Sequence, residues 1–302
     1  MALRDLFKPN IDALAEKKDV EGLISALRRS SDPAVRKRAA EALGELREYK
    51  AGDALIAALG KEDPARKKAA EALGSIAYPR AIGPLLKLLR DSDDGMRVIA
   101  IVSLGRLGDQ KATGPLIAML RDKNRSIREA AAESLQRIGT PAVESLCQAL
   151  NDENVHVRAN AIVVLGKIGD RRATESLCRT LAADRELARY AAEALGDLRD
   201  TAALEPLIQA LKQCEGAARA KAAEALGKMG SRRAVESLIL ALDTDIEAGA
   251  AAAEALGRIG DPRAVRHLES ALRADREEIR HQAERALEAM GFADRDAALR
   301  RR

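Results

Sequence analysis

The sequence repeats itself every 30 or 31 residues, and this period constrains the fold more than any other feature. The segment Ala-Ala-Glu-Ala-Leu-Gly of residues 39–44, or a variant of it, recurs along almost the whole chain. Its leucines are Leu43, Leu73, Leu104, Leu135, Leu165, Leu195, Leu226, Leu256 and Leu287. A fixed period of this length indicates a stack of units, because one unit cannot bury its own apolar face.

Each unit contains two helical patterns. The first has leucines four apart, such as Leu85 and Leu89, which lie on one face of a helix that we name helix A. The second has its apolar residues at helical spacing around the repeat leucine, as at Val35, Ala39 and Leu43, and we name it helix B. The sequence therefore predicts nine pairs of helices.

Turn residues mark the ends of helix B. Asp32-Pro33 is typical of an N-cap followed by proline at the first helical position. A glycine four residues after the repeat leucine predicts a left-handed C-cap at Gly108, Gly139, Gly169, Gly230, Gly260 and Gly291. The glycine directly after the repeat leucine lies inside helix B, where we expect it to allow a neighbouring helix to come close.

The composition favours an all-helical protein. Aromatic residues make up 2% of the chain and tryptophan is absent, which disfavours a β-sandwich or barrel. Three cysteines are too few for a disulfide framework, and no charge-free apolar run approaches the ~20 residues of a membrane span. The first residues lack the apolar core of a signal peptide. We therefore expect a cytoplasmic protein without a membrane segment.

The repeat Asp-Pro-x-Val-Arg-x-x-Ala-Ala-Glu-Ala-Leu-Gly-x-Ile-Gly-Asp-x-Arg-Ala-Val-x-Pro-Leu resembles the HEAT-like repeat of the phycobilisome-lyase type. It is similar to archaeal stand-alone arrays and to artificial scaffolds derived from them. The resemblance implies an α/α right-handed superhelix (solenoid) with the B helices on its concave side. We predict an N-terminal cap over 1–18, nine repeats over 19–291 and a basic C-terminal tail over 292–302, in one continuous domain.

The resemblance also implies a structural ladder of arginines near the start of helix B. The matching residues are Arg36, Arg66, Arg97, Arg128, Arg158, Arg219 and Arg280. Their expected partners are the acidic or amide residues four positions earlier, Asp32, Glu62, Asp93, Asn124, Asn154 and Glu215. Ala188 and Gly249 interrupt the ladder in repeats six and eight.

The positions of helix B that do not face the core are expected to line the groove. In repeats three to six they form an apolar centre between charged flanks. The candidate binding residues are Val98, Ile99, Val102, Arg106, Ala130, Glu133, Arg137, Ala159, Val163, Lys167, Arg189, Tyr190 and Glu193. Apolar patches with polar rims are typical of interaction sites, so we hypothesise that this groove binds a partner protein or peptide. The alternative is that these side chains pack inside a tight superhelix.

Residues for catalysis or for a cofactor are not evident. The three histidines, His156, His267 and His281, are too few and too scattered for most metal sites. They also lack the adjacent glutamates that form the di-iron site of deoxyhypusine hydroxylase, a related HEAT-like enzyme. A glutamate recurs once per unit, with basic residues between, as on a solvated surface. We therefore predict a protein that is not an enzyme and that uses no metal or cofactor.

Parts of the sequence also suggest two other functions. Arg36 to Arg38 and Arg66 to Lys68 form a basic N-terminal patch, and HEAT-like alkylpurine DNA glycosylases bind duplex DNA in such a groove. The groove positions nevertheless balance acidic against basic residues and include only one aromatic residue, which disfavours nucleic acid. A second possibility is an accessory subunit of a lyase-like or other modifying enzyme. The sequence favours a non-enzymatic scaffold for protein binding, and we expect it to be a monomer.

Overall fold

The structure is a computed structural model that describes residues 9–60 and 63–292. Within these residues the chain consists of α-helices and short 3-10 turns, without a strand. This confirms the all-α helix-pair repeat fold. The chain divides into two compact units, residues 1–145 and 146–302, and each is described by itself. Residues 1–8 of the predicted cap and residues 293–302 of the predicted basic tail lie outside the described residues.

In unit one a short first helix precedes the helix pairs, at the place expected for the N-terminal cap. Its helices are α1 Ile11–Glu16, α2 Val20–Arg29, α3 Pro33–Glu45, α4 Gly52–Ala58, α5 Ala65–Ser75, α6 Ile82–Leu88, α7 Asp94–Leu107, α8 Thr113–Met119 and α9 Arg125–Ile138. The chain passes from unit one to unit two within α10, Val143–Ala149. The even-numbered elements are A helices, and the odd-numbered elements from α3 onward are B helices.

Unit two continues the same alternation. Its helices are α11 Val155–Ile168, α12 Thr174–Ala183, α13 Ala188–Leu198, α14 Leu204–Gln213, α15 Gly216–Met229, α16 Val235–Ala241, α17 Ile246–Ile259, α18 Val265–Ala271 and α19 Glu277–Ala289. No helix within the described residues combines the length and the apolar character that crossing a membrane would require.

Within each unit the core lies between the layers of A and B helices. The A-helix leucines Leu85 and Leu116 and the B-helix leucines Leu73 and Leu104 are fully buried. Most A helices are only seven residues long, and a 3-10 turn directly precedes each A helix from α4 to α18. Asp109 caps one such turn by accepting a hydrogen bond from the backbone N–H of Lys111 at 2.8 Å. Short A helices and capped turns thus keep the repeat length nearly constant.

Adjacent B helices meet backbone against backbone at the glycine that follows the repeat leucine. A Cβ atom added to Gly74 would lie 2.8 Å from the Cα of Ser103, and one added to Gly105 would lie 2.8 Å from the Cα of Ser134. The buried Ser134 hydroxyl donates a hydrogen bond to the carbonyl oxygen of Ile101 at 3.0 Å. In unit two an alanine takes the place of the serine, as where Gly196 meets Ala225. The expected close approach is therefore present, and its partner is the residue before the next repeat leucine.

Replacing Gly105 with alanine tests this contact. The new Cβ would lie 2.6 Å from the Cβ of Ser134, so α7 and α9 would have to separate. We expect Gly105→Ala to lower the free energy of unfolding by about 2 kcal/mol, measured by urea denaturation. The control is Gly83→Ala in α6, where the added Cβ meets nothing within 4 Å. That change should raise stability by about 0.5–1 kcal/mol. Equal effects of the two changes would contradict the close-contact explanation.

Most B helices end as the sequence predicts, with glycine in a left-handed conformation. Gly108, Gly169, Gly230 and Gly260 have φ values of 67°, 74°, 66° and 69°. Three repeats lack this glycine but keep the conformation, since Arg47, Ala77 and Arg199 have φ values of 51°, 51° and 49°. A side chain carries a steric cost of about 1 kcal/mol in this region, so the repeat geometry imposes the turn on these residues.

Ala77 offers a direct test of that cost. It is exposed, so replacement by glycine removes little packing. We expect Ala77→Gly to raise the free energy of unfolding by about 0.5–1 kcal/mol, because glycine adopts positive φ without strain. The reverse change, Gly108→Ala, should lower it by about 1 kcal/mol. If the denaturant midpoints of the two variants shift in the same direction, a strained left-handed turn is not the cause.

Candidate functional site

The predicted binding residues of unit one lie mainly on α7, which is apolar on two faces. One face carries Met96 and Ile101, which are almost completely buried in the core. The other face carries Val98, Ile99 and Val102, each of which is only half-buried. These three side chains therefore remain partly open to solvent on the B-helix surface instead of belonging wholly to the core.

Around this apolar strip the predicted charged residues are exposed. Arg106 follows on α7 and donates a hydrogen bond to the hydroxyl of Ser75 at 3.2 Å. Glu133 and Arg137 are exposed on α9, which packs beside α7. Ala130 on α9 is buried, with 8% of its surface accessible, so its side chain offers little surface to a ligand.

The remaining predicted residues lie in unit two on α11 and α13, which pack together. Ala159 is half-buried and Val163 is 38% exposed, while Lys167 is exposed farther along α11. On α13, Arg189 and Glu193 are exposed and Tyr190 is half-buried. The Arg189 guanidinium lies 4.5 Å from the centre of the Tyr190 ring. Each unit thus presents its own set of apolar and charged residues on its B helices.

The basic patch near the N-terminus is paired with carboxylates of the same chain. Within the described residues only Lys37 of its six basic residues lacks such a partner. The pairs are Arg36 with Asp63, Arg38 with Asp12, Arg66 with Asp91, Lys67 with Asp93, and Lys68 with both Glu41 and Glu71. Neutralised side chains attract phosphate groups less strongly, which disfavours a nucleic-acid interface here.

Most of the ladder arginines join their repeat to the following one. In five of them the guanidinium contacts an aspartate that lies 25–27 residues later in the sequence, just before or at the start of the following B helix. These pairs are Arg36 with Asp63, Arg66 with Asp91, Arg97 with Asp122, Arg158 with Asp184, and Arg219 with Asp245. Arg128 and Arg280 instead donate to backbone carbonyl oxygens of their own A–B connections, Asp122 and Ala274.

The partners differ from those expected at four residues earlier. Asp32, Asp93 and Asn124 accept hydrogen bonds from backbone N–H groups in the first turn of their own B helices. Glu62 lies outside the described residues. The expectation was wrong for Asp93 and Asn124, which cap their own helices and contact Lys67 and Asp94 instead of a ladder arginine.

Arg158 allows the ladder to be tested. Its Nε donates to Asp184 at 3.1 Å, and its Nη1 donates to the carbonyl oxygens of Asp152 and Glu153 at 2.9 Å and 3.1 Å. Lysine lacks the planar fork that reaches these acceptors together. We expect Arg158→Lys to lower the free energy of unfolding by about 1–2 kcal/mol, as measured by urea denaturation. Arg171→Lys at an exposed site is the control and should change stability by less than about 0.5 kcal/mol. A loss no larger than that of the control would show that the ladder is dispensable at this repeat.

No group of histidine, cysteine and carboxylate side chains within the described residues has the geometry to hold a metal ion. Burial raises the pKa of the Cys178 thiol to about 11, and it also raises the pKa of Cys147. A thiol with a raised pKa is a poor nucleophile at neutral pH. Both cysteines are half-buried in the A helices, and their raised pKa disfavours a nucleophilic role.

A cleft in unit two, between the B helices α15, α17 and α19, was not singled out from the sequence. Its volume is about 400 Å³, and its apolar lining includes Ala217, Ile246 and Ala250. Ile246, at the start of α17, is 53% exposed. A run of small residues in α17, Gly249 to Ala253, leaves the space open. That run was visible in the sequence, but whether the space is filled by a neighbouring side chain depends on the packing.

The sequence matches the model of HEAT repeats over residues 20–98, 84–152, 142–195, 180–248 and 204–288. The chain belongs to the HEAT-repeat family. The resemblance to HEAT-like repeats is thereby confirmed. No curated protein matches the chain.

Several solved structures are similar to this HEAT-repeat chain. An engineered protein has 24% identity and a TM-score of 0.44, and the match covers 93% of this chain and 90% of that one. The complex of CpcE and CpcF of phycocyanin lyase from Nostoc sp. has 25% identity and a TM-score of 0.41, with 91% and 94% covered. A mutant of Kap121p has 13% identity and a TM-score of 0.67, with 94% of this chain and 38% of that one covered, and it supports the repeat fold.

Proposed function

We propose that this HEAT-repeat protein is a non-enzymatic scaffold that binds a partner protein or peptide on the exposed face of its B helices. The observation that carries the proposal is the strip of Val98, Ile99 and Val102, which is half-buried on α7 while the core face of the same helix is completely buried. Partly exposed apolar side chains between charged residues are typical of the centre of a protein interface.

The repeat fold suits this role because the surface is set before the partner arrives. The B helices are fixed to each other by the glycine contacts and by the arginine ladder. A preorganised surface loses little conformational entropy on binding, so more of the interaction energy appears as affinity. The exposed Arg106, Glu133 and Arg137 would then orient the partner by charge complementarity.

The test is an affinity pull-down from a native lysate of the source organism with the wild-type chain and with Ile99→Glu/Val102→Lys. A partner retained by the wild type should be lost by the double variant, because charges at the centre of an interface are costly to desolvate. Mass spectrometry identifies the retained protein, and titration calorimetry with the purified partner should show at least about a tenfold loss of affinity.

Gln110→Glu/Thr140→Lys provides the matched control. Both residues are exposed in the 3-10 turns of unit one, and the pair introduces the same two charges away from the B helices. Circular dichroism establishes that all the proteins are folded. The proposal fails if the α7 variant is folded and retains the same proteins as the wild type, and also if the control loses them equally.

A further inference from the structure

The cleft between α15, α17 and α19 combines an apolar floor with an acidic rim. Its floor is formed by Ala217, Ala220, Ile246, Ala250 and Ala251. Its rim carries four glutamates and one lysine, which are Glu224, Glu247, Glu254, Glu278 and Lys221. The cleft is therefore negatively charged, in contrast to the chain as a whole, whose net charge is +4.

Two of the four glutamates are already neutralised within the chain. Glu224 accepts from the Lys221 ammonium at 2.8 Å, and this contact raises the pKa of Lys221 above its ordinary value. Glu254 accepts from the Arg258 guanidinium at 2.7 Å. Glu247 and Glu278 are exposed, and neither has a hydrogen bond or ion pair with another described residue. Their charges are available to a ligand.

Two further polar groups bear on the ligand. The Oε1 atom of Gln282, which lines the cleft, is buried without a hydrogen-bond partner. A buried acceptor of this kind is normally satisfied, and a ligand donor would reach it only after the Gln282 side chain changes rotamer. Arg276 lines the adjoining hollow and donates to the carbonyl oxygen of Thr244 at 2.6 Å, which fixes its position.

We infer that this cleft binds a segment of a partner protein in which an aliphatic side chain is flanked by lysine or arginine. The aliphatic side chain lies against Ile246 and Ala250, and the basic side chains pair with Glu247 and Glu278. Charge complementarity selects this occupant, because an acidic or neutral segment would leave two carboxylates unpaired beside an apolar surface. The inference rests on the proposed function in taking the occupant to be a partner protein, but it uses residues of unit two alone.

The experiment selects peptides of about 12 random residues, displayed on phage, on the immobilised full chain. We expect the retained peptides to contain Leu, Ile, Val or Met with lysine or arginine close by in the sequence. Fluorescence anisotropy with the labelled peptides should show at least about a tenfold loss of affinity for Glu247→Lys/Glu278→Lys, because the two attractive pairs become repulsive. Ile246→Ser should weaken binding about fivefold through lost apolar contact.

The matched control is Glu175→Lys/Glu269→Lys, which makes the same change in charge at exposed positions of A helices in unit two. It should bind the peptides as the wild type does. Ile99→Glu should also retain peptide binding, so a failure at α7 and a failure at this cleft give different results.

Three results would overturn the inference. The first is retention of no peptide above the level of Glu247→Lys/Glu278→Lys, and the second is retention of peptides without basic residues. The third concerns residues 293–302 of this chain, which end in three arginines and are the alternative occupant. If a chain that ends at Phe292 binds the peptides more tightly than the full chain, that segment competes for the cleft and the occupant is not a partner.

Discussion

The contact on which the rest of the structure depends is the approach of one B-helix backbone to the next. At Gly44, Gly74, Gly105, Gly166, Gly196, Gly227 and Gly257 an added Cβ would lie within 2.9 Å of the neighbouring alanine or serine. Glycine inside a helix costs about 1 kcal/mol relative to alanine, so the seven repeats that have this glycine accept a local penalty for a close contact between layers. Because both partners are small, there is no side chain whose rotamer could vary the spacing. Stacking geometry is thereby set by backbone contact rather than by the fit of large side chains.

The arginine ladder supplies hydrogen-bond donors to the connections between A and B helices. Each connection from A to B exposes backbone carbonyl groups at the end of a short helix, and these need hydrogen-bond donors. Arg36 donates to the carbonyl oxygen of Ser30 and, in the next repeat, to Asp63. One side chain thus caps its own repeat and holds the following one. Gly249 shows what replaces it, because an added Cβ there would meet Ile279 of the next repeat at 2.7 Å. Apolar packing takes over where the ladder is interrupted.

The sequence predicted the fold better than the site, for a physical reason. Local chemistry that recurs in every repeat, such as the Asp32 cap and the left-handed Gly108, leaves the same mark each time and can be read from spacing. The arginine partners were misassigned because the N-cap four residues earlier is near in sequence, whereas the aspartate that the arginine contacts lies 25–27 residues later and is brought close only by packing. Val98 and Ala130 were expected on one surface, yet the first is half-buried and the second is buried. The cleft above Ala250 was missed because an empty space between helices depends on how they pack, and no residue type in the sequence indicates it.

These contacts also explain how the repeat frame of each unit can carry its own binding surface. The residues that fix the layers are the glycines, the small residues that meet them, the repeat leucines and the ladder arginines. None of them is among the half-buried Val98, Ile99 and Val102 of α7 or the exposed Glu247 and Glu278 of the acidic cleft. Side chains of the latter kind can change without altering the glycine and arginine contacts that set the spacing of the helices. The residues at these positions in each repeat therefore determine the chemistry of a binding surface. The contacts between the layers of helices determine its shape.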